Sequence, residues 1–90
     1  MFTVISYDIQ DDKRRYKIAS ILKDYGARVQ YSVFEADLTD AQLCEAKQRI
    51  NDVMAKEDQV RYYRLCEVCV NNIEMLGGIP ITVLNDVIEL

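Results

Sequence analysis

Asp8 ends a first strand pattern, residues 2–9, in the run Tyr7-Asp8-Ile9, and cations follow at once at Lys13, Arg14, Arg15 and Lys17. A carboxylate beside a block of cations suits a place where a divalent metal meets a phosphate. The carboxylate oxygen takes the hard cation, and guanidinium groups take the phosphoryl oxygens. The chain has no histidine, so Asp8 is the strongest candidate for any chemistry performed here. The alternative is a strand-end residue that caps the loop or helix after it. Asp11 and Asp12 fit a helix start better than a metal site.

The elements that would carry these residues make one domain, residues 1–90. A chain of this size buries roughly 60–65% of its unfolded surface, yet half of its residues are hydrophobic. Association into a homodimer is the ordinary way to hide the remainder. The net charge of −4 argues against a general nucleic-acid binder, but the charge is segregated. Residues 13–28 carry six cations and one anion, whereas residues 35–58 carry seven acids and three bases. That division suits one phosphate-facing surface and one solvated helix; a solubilising first helix is the plainer reading of the same block. No signal peptide or membrane-spanning run is visible, so a cytoplasmic protein is expected, without membrane association. Of the three cysteines, Cys66 and Cys69 have CxxC spacing, without a second pair or a histidine to complete a zinc site. They follow a strand pattern, where a redox motif would open a helix, and read as ordinary small, partly buried residues.

In the first strand the even positions Phe2, Val4 and Ser6 share a face with Asp8. The stripe Ile18, Ile21, Leu22, Tyr25 predicts a helix that Gly26 terminates. Arg14 and Arg15 lie within about 60° of that stripe, so they flank the buried face, and Lys13 and Lys17 point to solvent. Cations in a first helical turn run against the helix dipole, which favours an anion-binding task for the two arginines. Residues 28–37 alternate, with Arg28, Gln30, Ser32 and Phe34 on one face. They form either one long strand or two short ones bent near Gln30–Ser32. Phe34 either stacks on a base or is buried in the fold or a dimer seam. Thr39 to Gln42 matches a capping box, with Leu43, Ala46, Ile50, Val53 and Met54 on one side of the helix after it. Gln59–Leu65 and Ile73–Leu76 read as strands, Gly77-Gly78 as a turn, and residues 79–83 as a last strand. Pro80 places that strand at an edge, and pairing with a second subunit would cover it. The expected class is α/β (α+β), a two-layer sandwich resembling the ferredoxin-like fold, with residues 79–90 as a C-terminal edge strand and tail used in dimerisation.

Tyr7-Asp8-Ile9, Arg14-Arg15, Gly26, the run Arg28-Val29-Gln30-Tyr31-Ser32-Val33-Phe34-Glu35 and Gly77-Gly78 resemble, in register and nearly end to end, the small Cas-two proteins of CRISPR adaptation. The resemblance implies a ferredoxin-like homodimer whose first-strand aspartates, here Asp8, face each other across the two-fold axis. They would hold a divalent metal, usually magnesium. It also implies metal-dependent endonuclease activity on single-stranded RNA or duplex DNA, and a bridge between two dimers of the Cas-one integrase during spacer integration. Tyr7, Arg15, Arg28 and Phe34 match positions implicated in activity in that family, with Arg14 a neighbour of the same charge. The acidic balance departs from what a duplex-DNA binder would show.

Magnesium keeps several waters and can be held by one or two carboxylates, so two Asp8 side chains across a dyad would make a site that one would not. A metal there would polarise a phosphodiester and activate a water, with Arg15 or Arg28 offsetting charge on the phosphoryl oxygens. Two function classes stand side by side: a nuclease working through paired Asp8 carboxylates, and a non-catalytic dimeric adaptor that holds integrase dimers apart and contacts DNA phosphates. A ferredoxin-like regulatory domain would need an effector pocket, and no glycine-rich loop is present to build one.

Overall fold

The structure, a computed structural model, describes residues 1–78; the expected edge strand and tail at 79–90 lie outside the described residues. The chain runs β1 (Phe2–Asp8), α1 (Asp12–Lys23), β2 (Ala27–Gln30), β3 (Val33–Asp37), α2 (Asp40–Asn51), β4 (Gln59–Leu65) and a short α3 (Glu67–Asn71). The four strands form one antiparallel sheet in the order β2-β3-β1-β4. This is the ferredoxin-like two-layer sandwich the element pattern predicts.

Alternation along β1 sets the two faces of the sheet. Ile5, Tyr7 and Ile9 are buried with Ile18, Ala19 and Leu22 of α1, Leu43 and Ile50 of α2, and Phe34, Ala36 and Leu38 from β3 and the residue after it. Val4 and Ser6 are partly buried and Asp8 is exposed on the other face. The helix starts follow their caps: Arg14 N donates to Asp11 Oδ2 at 2.9 Å. The Thr39 capping box closes through Gln42 N to Thr39 Oγ1 at 3.1 Å and Thr39 N to Gln42 Oε1 at 2.9 Å. Val53 and Met54 lie beyond the end of α2 and pack against the core from there.

Residues 28–37 bend into two strands without glycine or proline at the turn. A register shift between Arg28 and Gln30 breaks the ladder, and the turn residues are tied to β1 instead. Tyr7 N donates to Ser32 O at 3.1 Å, and the Tyr7 hydroxyl donates to Tyr31 O at 3.3 Å. Gly26 also differs from its expected role. Helix α1 is capped by Asp24 in a right-handed conformation, and Gly26 is needed for clearance. A Cβ there would stand 2.5 Å from Ala36 Cβ and against the carbonyl oxygen of Glu35. Because the obstruction includes β3 backbone, Gly26→Ala should destabilise by more than about 2 kcal/mol. An unchanged denaturant midpoint would show that β2 and β3 can part at no cost.

Ile73–Leu76 is not a strand. The chain after β4 closes a helical turn instead: Val70 N donates to Cys66 O at 3.0 Å and Ile73 N to Val70 O at 3.1 Å, and Asn72 Nδ2 donates to Val68 O at 3.0 Å. Cys66 is the N-cap residue of this turn, so the CxxC does open a helix, and both cysteines are exposed, not partly buried. Gly77 and Gly78 have φ of 78° and 84°, the left-handed values that a glycine turn supplies.

Candidate metal and nucleic-acid site

Asp8 ends β1 as an exposed side chain on the sheet face that α1 and α2 leave open. Among the described residues its side chain takes one hydrogen bond, from Gln10 Nε2, at 3.3 Å to Oδ1. It is not a helix cap, because Asp11 fills that position on α1. The register places Gln59 directly opposite Asp8, and Arg61 opposite Ser6. Opposed residues share a face, and diagonal neighbours lie about 7–8 Å apart, within reach of a long side chain. Asp8, Ser6, Gln59 and Arg61 therefore form one patch. Among the described residues no three Asp, Glu, Cys or His side chains gather into a metal cluster. One chain offers a hard cation a single carboxylate with a hydroxyl and a carboxamide beside it. This oxygen donor set fits magnesium, which keeps its waters.

The arginines expected to serve Asp8 lie elsewhere. Because Tyr7 and Asp8 are consecutive on β1, they point to opposite sides of the sheet. Tyr7, Arg15 and Arg28 line a cavity of about 250 Å³ beside α1, together with Asp12, Tyr16 and Tyr31. Arg15 Nη1 donates to Ile9 O at 2.8 Å, and its Nη2 bonds the Asp12 carboxylate. The Asp12 bond raises the arginine pKa further above its ordinary value. The Arg15 guanidinium lies 6.0 Å from the centre of the Tyr31 ring. The exposed Arg28 rests over Phe34, 5.6 Å from its ring centre. Phe34 itself is 0% exposed, so its ring has no face for a base; it supports Arg28 and packs 6.2 Å from the Tyr7 ring. Tyr7 is 4% exposed and is likewise a core residue, with only its rim at the cavity.

Arg14 is engaged in holding the fold. Its Nε and Nη2 donate to Asp58 at 2.8 and 3.1 Å, and Nη2 also donates to Glu57 at 3.2 Å. The Asp58 side chain is fully buried and accepts a further bond from Ala55 N at 2.9 Å. A buried carboxylate must be paired, so Arg14, expected to meet nucleic acid, has its Nε and Nη2 committed to Asp58 and Glu57. Reversing its charge would disturb the α1–β4 junction. The Arg14 bond, then the Ala55 N–H, hold the Asp58 pKa below the ordinary carboxylate range. A pKa lower in the folded state than in the unfolded chain gives stability that is fully present above about pH 4 and is lost as pH falls through the folded value. Asp58→Asn should flatten that acid limb. Urea midpoints measured from about pH 2 to pH 6 check this, and parallel curves for both proteins would refute it.

Arg61 was not among the expected site residues. It is exposed, donates to the Tyr63 hydroxyl at 3.2 Å, and makes no ion pair among the described residues. The signal for it was present in the alternation of Gln59–Leu65, which places 59, 61 and 63 on one face. What was missing was the partner strand.

Residues 1–73 match the family described as CRISPR associated protein Cas2. A CRISPR-associated endoribonuclease Cas2 of Chloroflexus aurantiacus is 46% identical over 82 residues, 89% of this chain and 88% of that one. The crystal structure of Streptococcus pyogenes Cas2 superposes with a TM-score of 0.76 at 32% identity, covering 86% of this chain and all of that one. A chain of a partial Cas6-RT-Cas1–Cas2 complex superposes with a TM-score of 0.77 at 30% identity, covering 89% and 94%. With the ferredoxin-like sheet and the exposed aspartate at the end of β1, these matches place the chain in the Cas-two (Cas2) family of CRISPR-associated proteins.

Proposed function

We propose that this chain is a cytoplasmic CRISPR adaptation protein, acting as a homodimer that cleaves phosphodiesters of single-stranded RNA or duplex DNA with magnesium held at Asp8, and that joins Cas1 integrase dimers in spacer acquisition. The observation that carries this reading is the Asp8 carboxylate itself: exposed, not used as a cap, and set beside an arginine that makes no ion pair among the described residues. A bound divalent cation supplies Lewis acidity toward the phosphodiester. The chain's own residues then orient the backbone: Arg61 takes a phosphoryl oxygen on the same face, and Gln59 and Ser6 offer hydrogen bonds around it. A second copy supplies the second carboxylate. Val4, Val33 and Tyr63 on the open face are incompletely buried, as a face used for pairing would be.

The test is cleavage of both substrates in magnesium and in excess chelator. Activity indifferent to the chelator would remove the metal from this reading. The two arginine groups separate in the same assay. Arg61→Ala should lower the cleavage rate about 10- to 100-fold, the value of a charge-assisted hydrogen bond. Arg15→Ala should weaken binding and reduce its salt dependence, with little effect on the rate at saturation.

A specific observation also favours the adaptor reading. The Arg15–Arg28 cavity lies on the other side of the sheet from Asp8, so phosphate contacts there need no chemistry at Asp8. A Cas2 relative is a component of an assembly with Cas1. Capture of Cas1 by a protein without nuclease activity would favour that reading.

A further inference from the structure

Cys66 and Cys69 play no part in the Asp8 patch or the arginine cavity, yet they are placed for chemistry with each other. Their Sγ atoms are 3.6 Å apart and both side chains are exposed. They sit three residues apart on one helical turn, where positions i and i+3 face the same way. A disulfide bond is about 2.05 Å long, so side-chain rotation has roughly 1.5 Å to close.

We propose that Cys66 and Cys69 form a reversible redox site that closes to an intramolecular disulfide in exchange with a low-molecular-weight disulfide of the glutathione class. The Cys66 thiolate attacks one sulfur of the glutathione disulfide, forming a mixed disulfide and expelling one glutathione thiolate, which takes up a proton. Cys69 then loses its proton to solvent, and its thiolate attacks the Cys66 sulfur. The Cys66–Cys69 bond forms and the second glutathione leaves. Two protein thiols have then given up two electrons and two protons, and the glutathione disulfide has received them as two thiols. The division of roles follows from local hydrogen bonding. The Cys69 N–H and thiol hold the Cys66 pKa below the ordinary thiol range, whereas Cys66 raises that of Cys69. The lower-pKa partner attacks, and the other resolves.

The bridge would span the first turn of α3, at the point where the chain leaves β4 for residues 73–78. That segment, with Val29 and Glu35, lines a cavity of about 320 Å³ at the β2 side of the sheet. Oxidation therefore staples the turn that sets the direction of this segment.

The test uses the full chain with Cys44→Ser, which removes the third exposed thiol. After treatment with glutathione disulfide, intact mass should show the loss of two hydrogens and no glutathione adduct, reversed by dithiothreitol. Amide exchange within α3 should slow. Cys69→Ser should trap the glutathione adduct on Cys66, and Cys66→Ser should keep any adduct on Cys69, because neither lone thiol has a partner to expel the glutathione. A lasting glutathione adduct on the protein that keeps both cysteines, or a disulfide between chains, would overturn the proposal. None of these readouts involves nuclease activity, so they stand apart from the reading of Asp8.

Discussion

Asp8→Asn is expected to lower magnesium-dependent cleavage by at least about 100-fold, the scale on which loss of a metal-site interaction is felt, while leaving the fold unchanged. The amide keeps the size of the side chain but loses its charge, and magnesium bound through one or two carboxylates has little else to hold it. In a two-fold dimer one substitution removes both charges. The cost to stability should stay within about 0.5 kcal/mol, as for other exposed positions, because among the described residues the Asp8 side chain makes one long hydrogen bond and caps no helix. The thermal midpoint should therefore match wild type. Spacer acquisition measured beside cleavage separates the two function classes: acquisition kept without cleavage assigns the chain to scaffolding, and loss of both assigns it to catalysis. Wild-type cleavage by the asparagine variant would leave Asp8 with no role in the chemistry.

The contrast between Asp8 and its expected arginines shows where a sequence is legible and where it is not. The stripe Ile18–Tyr25, the Thr39 capping box and the alternation of β1 are local patterns, and each element formed there, with Tyr25, Val53 and Met54 falling just past the ends of their helices. The same alternation tells that Tyr7 and Asp8 point to opposite sides, but not which side carries the helices. Arg15 and Arg28 went to the helix side with Tyr7, and Asp8 to the open one. Arg14 could not be separated from Arg15 by pattern, since both border the buried stripe. Its partner Asp58 is 44 residues away, and no local rule connects them. Gly26 had the right identity for a helix end but serves a close approach to β3. The helical turn at Glu67–Asn71 carries two valines, which weigh toward strand; the backbone bonds from Val70 N to Cys66 O and from Asn72 N to Cys69 O close it as a turn instead.

Phe34→Ala should be the most destabilising single change, at about 3–5 kcal/mol. Phe34 is fully buried in β3, with β1 on one side and β2 on the other, and it carries Tyr7 and Arg28 against its ring. A domain of this size holds on the order of 5–15 kcal/mol in total. The thermal midpoint should then fall by at least about 12 °C, and nucleic-acid binding should disappear at the same, lowered temperature. Phe34→Leu keeps most of the volume and should cost less than about 1.5 kcal/mol. If the ring acts only as a support, the leucine variant retains its affinity for RNA, apart from a small loss through Arg28, whose guanidinium no longer rests on an aromatic face. A leucine variant that melts like wild type but no longer binds would mean that the ring leaves the core to meet a base. The position would then belong to recognition, and its burial in the free chain would be one of two states.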